Sequence, residues 1–198
     1  MLPTRRERKK EKSRNDLIDC AVSLFREKGV AETSIDEITE KADISKGTLY
    51  NYFQDKEAIL VGYFQNKIAA SSLEFRARLM GAGEIRSKLS ALLDLMTRML
   101  VDDLDLASVY FRYRLRDFGT SLDNSKRSGM ENVLVELIKT AQERDEIRTD
   151  LPAELIAKNF LFLFMSFFLF DGTETDPAQI RLDREQIIEL FLHGAGAK

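Results

Sequence analysis

Residues 34–56 read SIDEITEKADISKGTLYNYFQDK, and the order of elements in this stretch decides the fold. Ile35, Ile38 and Ala42 recur at offsets of three and four, the apolar stripe of one short helix. Its start is marked twice, since Thr33 and Ser34 can both cap and Ser34 with Glu37 makes a capping box. Ala42, Asp43 and Ile44 break the pattern. Ser45 can then cap a second helix by accepting from its orphan amides. In that helix Leu49 and Phe53 face inward at i and i+4, which leaves Lys46, Gly47, Tyr50 and Asn51 on the opposite face. Asp55 caps a third helix, with Lys56 in its first turn.

Two short helices joined by such a turn, the second with polar and aromatic side chains outward, suit a helix-turn-helix. The major groove of DNA admits one α-helix, whose first residues then reach base edges. Gly47 lets the backbone approach, Lys46 can donate to guanine or phosphate, and hydroxyls stand at Ser45, Thr48, Tyr50 and Tyr52. The plain alternative is an αα-hairpin inside a helical bundle.

The run Ser45-Lys46-Gly47-Thr48-Leu49-Tyr50-Asn51-Tyr52-Phe53-x-x-Lys56 resembles the recognition helix of the TetR family of bacterial transcriptional repressors. Ala21-x-x-Leu24-Phe25-x-x-x-Gly29 and Thr33-Ser34-Ile35-x-x-Ile38 match that family's first two helices at the same spacing. The resemblance spans about a quarter of the chain, from Asn15 to Phe64. It implies that Ser34, Ser45, Lys46, Gly47, Thr48, Tyr50, Asn51, Tyr52 and Lys56 contact DNA, Tyr52 and Lys56 mainly at phosphate, with Leu49 and Phe53 in the core. It also implies repression, and a dimer in which the last two helices of each chain form a four-helix interface. Ligand and target do not carry over.

The chain has 198 residues, 44% hydrophobic and 32% charged, with only 3 Pro, which favours an all-helical protein. Its net charge of -3 means that positive charge for DNA has to be gathered locally. The first fourteen residues do this, with seven basic side chains against Glu7 and Glu11. No apolar run follows them, so they are not a signal peptide; a basic arm beside the groove is expected, against a merely solubilising tail. One Cys and one His exclude a Cys/His zinc cluster and a disulfide framework. Cys20 reads as packing in a reducing cytosol, and His193 as a surface residue. No metal and no cofactor is expected.

From about Ser13 to Lys28, Leu17, Ala21, Leu24 and Phe25 make one apolar face, which Gly29 should end. The helix after Asp55 runs to about Met80 with Ile59, Leu60, Tyr63, Phe64 and Ile68 inward, and is the natural lever into a second domain. Gly81-Ala82-Gly83 punctuates the chain. Ile85, Leu89, Leu92, Leu93, Met96, Met99 and Leu100 then repeat at helical spacing. In the next segment VYFRYRLRDF alternates like a strand, but no partner strand is in sight, and a helix apolar on two faces fits the middle of a bundle. A polar loop covers residues 119–128, and a helix with Met130, Val133, Leu134, Leu137, Ile138 and Ala141 follows. Phe160–Phe170 is apolar all round yet too short to span a bilayer, so a partner chain should cover part of it. A final helix holds Ile187, Leu190 and Phe191.

The expectation is an all-α protein of about nine helices. Residues 1–56 form a basic arm and three-helix DNA-binding domain, and residues 57–198 a larger helical domain for ligand binding and dimerisation. It is a cytoplasmic homodimer on double-stranded DNA with a palindromic operator, not an enzyme and not a membrane protein. A small apolar or amphipathic effector would lie among Met96, Met99, Tyr110, Phe111, Phe164 and Phe168, with Arg112 as a candidate anion partner; the same residues also suit plain core. A nucleophile with a base, a metal set and a phosphate loop are all missing, which speaks against an enzyme. A protein-only helical adaptor is the other class, opposed by the basic arm and the outward Lys46/Tyr50 face. Deleting residues 1–10 is expected to weaken DNA binding and flatten its salt dependence, measured by titration at several ionic strengths; an unchanged slope would remove the arm from the interface.

Overall fold

The computed structural model describes residues 4–81, 83–116, 129–170 and 177–195, the side chains of 71–78, 80, 129, 167–170, 177–183 and 194–195 excepted. Among the described residues all regular structure is helical: α1 (Arg5–Glu32), α2 (Ile35–Lys41), α3 (Lys46–Tyr50), α4 (Lys56–Met80), α5 (Ile85–Val101), α6 (Leu104–Arg116), α7 (Gly129–Glu143), α8 (Ala153–Phe170) and α9 (Pro177–Ala195). The expected polar loop at 119–128, Phe118, and the loop at 171–176 lie outside the described residues.

The basic arm differs from the expectation. The helix begins at Arg5 rather than near Ser13, because Thr4 and Glu7 form a capping box and Lys, Arg and Glu are good helix formers. The arm is therefore an exposed helical extension of α1. Gly29 breaks α1 with φ +85°, a conformation that side chains with a Cβ rarely adopt, and Thr33 donates its hydroxyl to the Gly29 carbonyl at 2.7 Å.

Leu17, Ile18, Ala21, Val22 and Phe25 on α1 are buried over Ile38 of α2 and Leu49 and Phe53 around α3. Helices of seven and five residues are far too short to persist alone, so their geometry comes from this packing. Asp43 makes the turn between them in the left-handed region, at φ +50°. Helix α4 starts where Asp55 Oδ1 accepts from Ala58 N at 2.7 Å. It lies close against α1 at Gly62, where a Cβ would come within 3.0 Å of Ile18 and 3.1 Å of Phe53.

The rest is a bundle whose apolar interior is continuous with that of α1–α3. The expected stripe of α5 is buried throughout. Residues 109–116 are helical in α6, with Tyr110, Phe111 and Tyr113 all buried, so the alternating pattern reflects a helix covered on two sides. On α8, Phe160 and Phe164 are buried while Phe162 is 45% exposed.

Two polar links tie the α1–α4 region to α6. The carboxylate of Asp103, at the start of α6, is wholly buried and receives Arg26 Nε at 2.7 Å, Tyr63 Oη at 2.5 Å and Lys67 Nζ at 2.9 Å. Arg26 belongs to α1, Tyr63 and Lys67 to α4. Further along α6, Tyr113 Oη accepts from Gln54 Nε2 at 2.5 Å and donates to Asp55 Oδ2 at 3.3 Å, just beyond α3.

Burial alone would push the Asp103 carboxyl up; the hydrogen bonds from Arg26, Tyr63 and Lys67 outweigh it and hold the group well below the usual carboxylate range. A folded pKa below the unfolded one, which is about 4, gives stability that is full above that pH and fades as pH falls further. Asp103→Asn is therefore expected to cost about 2–4 kcal/mol at neutral pH in urea unfolding, because it strands two cations. The difference should shrink below about pH 4. A deficit that does not change with pH would mean that packing, not charge, is what the substitution disturbs.

Candidate nucleic-acid interface

Helix α3 is presented by what surrounds its two ends. At its N-terminus Ser45 Oγ accepts from Thr48 N at 3.1 Å and lies 2.9 Å from Thr48 Oγ1, so both hydroxyls stand together at the helix start. At its far end the Phe53 amide donates to the Leu49 carbonyl, turning the chain inward. With Leu49 fully buried, the helix can only turn its other side to solvent. Ser45, Lys46, Gly47, Tyr50 and Asn51 are exposed, Tyr50 to 53%. Thr48 and Tyr52 are half-buried at its edges.

Ser34 is exposed at the head of α2, where its hydroxyl and amide both meet Glu37. Glu37 in turn pairs with Lys28 of α1, and with Ser34 this lowers its pKa to about 2. The α2 N-terminus is thus fixed on α1. Lys46 pairs with Asp36 of α2, and both groups are mostly exposed. A pair of this kind contributes little and is readily exchanged for a phosphate.

Lys56 occupies a different position from the other expected contact residues. Its Nζ donates to the carbonyls of Ala31 and Thr33, each at 2.9 Å, and so fastens the start of α4 to the bend between α1 and α2. This anchoring role could not be read from the chain, because the acceptors are main-chain atoms more than twenty residues away.

A second feature lies behind α6. An apolar cavity of about 80 Å³ is bounded by Met96 and Met99 of α5, Tyr110 and Phe111 of α6, and Met130 and Met165. Phe164 stands behind Phe111, their ring centroids 6.4 Å apart, and is not part of the wall. Phe168 lies among the residues whose side chains are outside the description. Arg112 does not reach the cavity: it is exposed, donates to Ser108 Oγ at 2.7 Å, and borders an open groove against α1. The reason is helical phase. Two residues on from Tyr110 is the opposite side of a helix, whereas Arg114, four residues on, shares its face and lies at the cavity wall. Glu131 of α7 and Lys158 of α8 also line the cavity. Among the described residues no group of His, Cys, Asp and Glu could hold a metal ion, and no helix is long and apolar enough to cross a membrane.

Residues 17–63 match the sequence model of the family described as bacterial regulatory proteins, tetR family. Over 149 residues the chain is 26% identical to the fatty acid metabolism regulator protein of Bacillus subtilis (strain 168), covering 74% of this chain and 76% of that one. It is 37% identical over 76 residues to the HTH-type transcriptional repressor KstR2 of Rhodococcus jostii (strain RHA1), where the match covers 33% of this chain and 37% of the relative. In three dimensions it is similar to Thermus thermophilus FadR, a TetR family transcriptional repressor solved in complex with lauroyl-CoA. The TM-score is 0.76 and the identity 24%, over 93% of this chain and 96% of that one. These likenesses are to transcriptional regulators, and none favours a protein-only adaptor.

Proposed function

We propose that the chain is a DNA-binding transcriptional regulator of the TetR family, whose signature it carries in residues 17–63, and that it works as a homodimeric repressor, released from a palindromic operator by an amphipathic effector. The observation that carries this reading is the exposed Ser45–Asn51 face of a helix that is held rigidly from behind by Leu49 and Phe53. On DNA, Lys46, Gly47, Tyr50 and Asn51 meet the groove. Ser34, Ser45, Thr48 and Tyr52 hold phosphate at its edges, and Lys56 adds charge while it anchors α4. Residues 1–56 do the reading and residues 57–198 the sensing, with α4 shared between them. The cytoplasm, where the operator is, is its place of work.

Dimerisation has support in the apolar surface. Leu155 and Phe162 lie seven residues apart on α8 and are 44% and 45% exposed, and Leu190 on α9 is 63% exposed. A second copy laid on this row, α8 and α9 against α8 and α9, would cover it. Two heads so joined read half-sites about 34 Å apart, or a multiple of that.

The effector reading rests on the cavity behind α6. Its 80 Å³ is about half the roughly 150 Å³ that accommodates benzene. A longer chain has to push the walls apart, and methionines yield more readily than other core residues. Because α6 is tied to the α1–α4 region at Asp103 and Tyr113, widening the cavity strains those links. The effector then favours whichever head placement relieves the strain, which is all that induction needs. The names of the relatives, a fatty acid metabolism regulator and a repressor holding lauroyl-CoA, support a fatty-acyl amphiphile.

Selection of genomic DNA fragments on the protein tests the reading. The native chain is expected to enrich one palindromic motif. The Lys46→Ala/Tyr50→Ala variant should lose it while keeping its helical content and dimer mass. Enrichment that survives in the variant would displace α3 from the groove.

A further inference from the structure

The apolar cavity has a neighbour. On the far side of Arg114 lies a cleft of about 270 Å³ between α6 and the DNA-reading part of the chain. Arg114 borders both hollows. The cleft is closed on the reading side by Arg14 of α1 and by Phe53 and Gln54, and on the other by Tyr113. Resting on the reading of the effector as an amphiphile, we infer that its anionic end binds in this cleft between Arg14 and Arg114, while its hydrocarbon end passes Arg114 into the methionine- and aromatic-lined cavity.

Charge selects this mouth over the alternative. The cavity is also lined by Lys158 and Glu131, one group of each sign, where an anionic group gains less than between two cations. The cleft offers two guanidinium groups, with the amides of Gln54 and Gln65 beside them, and no carboxylate among the described residues of its lining. Glu11 approaches Arg14 no closer than 3.7 Å, and Asp55 takes the Tyr113 hydroxyl. Guanidinium forks match the paired oxygens of a carboxylate or phosphate. Arg14 is held in place by its stacking on the Phe53 ring, 5.2 Å from the centroid, so the site is shaped before the anion arrives.

The position explains how binding and DNA release are linked. An anion in the cleft touches Arg14 and Gln54 of the reading part and Arg114 of α6 at once. It competes with Tyr113 for the Gln54 amide, which lies four residues beyond Tyr50. One ligand therefore engages the two parts whose relative placement it changes.

Calorimetric titration of the full-length dimer with lauroyl-CoA, laurate and free CoA tests the assignment. Arg14→Gln and Arg114→Gln are each expected to weaken lauroyl-CoA roughly ten- to hundredfold. Lys158→Gln should change it less than about threefold, and Arg114→Lys, which keeps the charge, should recover part of the loss. Unfolding midpoints of the variants separate lost binding from lost fold. If laurate shows the same arginine dependence the anion is a carboxylate; if only lauroyl-CoA does, it is a phosphate, and either supports the cleft. Undiminished affinity in both arginine variants, or a loss confined to Lys158→Gln, overturns the assignment and leaves the effector reading standing. A native protein that binds neither lauroyl-CoA nor laurate overturns both.

Discussion

The Asp103 carboxylate, wholly withdrawn from water, is where three helices are made to agree. A buried charge is costly unless every lone pair is used. Here the donors come from α1 and from two consecutive turns of α4, and Asp103 itself sits at the start of α6. Apolar packing between helices tolerates small slides and rotations. A carboxylate facing Arg26, Tyr63 and Lys67 does not, because moving any one helix leaves a donor or an acceptor unpaired. The DNA-reading part is thus attached to the bundle by an interaction with two outcomes, kept or broken, rather than by a compliant surface.

Everything on the reading side depends on that attachment. Helix α3 has five residues, and its orientation is inherited from α1 and α4 through Leu49 and Phe53. Gly62 allows α1 and α4 to approach closely enough for Phe53 to be covered, and Lys56 holds the start of α4 to the carbonyls of Ala31 and Thr33. The surface proposed to meet DNA therefore adds little to the stability of the fold, and is free to carry Lys46, Tyr50 and Asn51 outward. On the sensing side, the wall of the cavity and the link to the reading part share one helix. Tyr110 and Phe111 face the hollow, and Tyr113, on the next face of α6, meets Gln54 and Asp55.

Much of this was legible in the chain because it is local. Caps at Ser34, Ser45 and Asp55, the break at Gly29 and the stripes of α4, α5 and α7 need only neighbours in sequence, and they stand as read. The start of α1 is less legible: a run of basic charge reads as an arm, while the Thr4 and Glu7 box makes the same residues a helix. What the sequence hides is long-range and polar. The partners of Asp103 lie 36 to 77 residues away. The chain alone does not tell which of Arg112, Arg114 and Arg116 lines the cavity, because the side facing the hollow depends on how α6 is rotated in the bundle. A pattern apolar on two faces does not fix that rotation.

In the proposed dimer the separation of the two reading heads is set by α6 and altered by a ligand behind it. The most direct test is a distance between the heads in solution. With Cys20 replaced by Ser and spin labels at Glu40→Cys, on the exposed side of α2, pulsed dipolar spectroscopy of the dimer reads that distance without DNA. A single narrow distribution that moves to a new mean on addition of lauroyl-CoA is the predicted result. A distribution unchanged by ligand, under conditions where the same ligand releases DNA, would contradict the account.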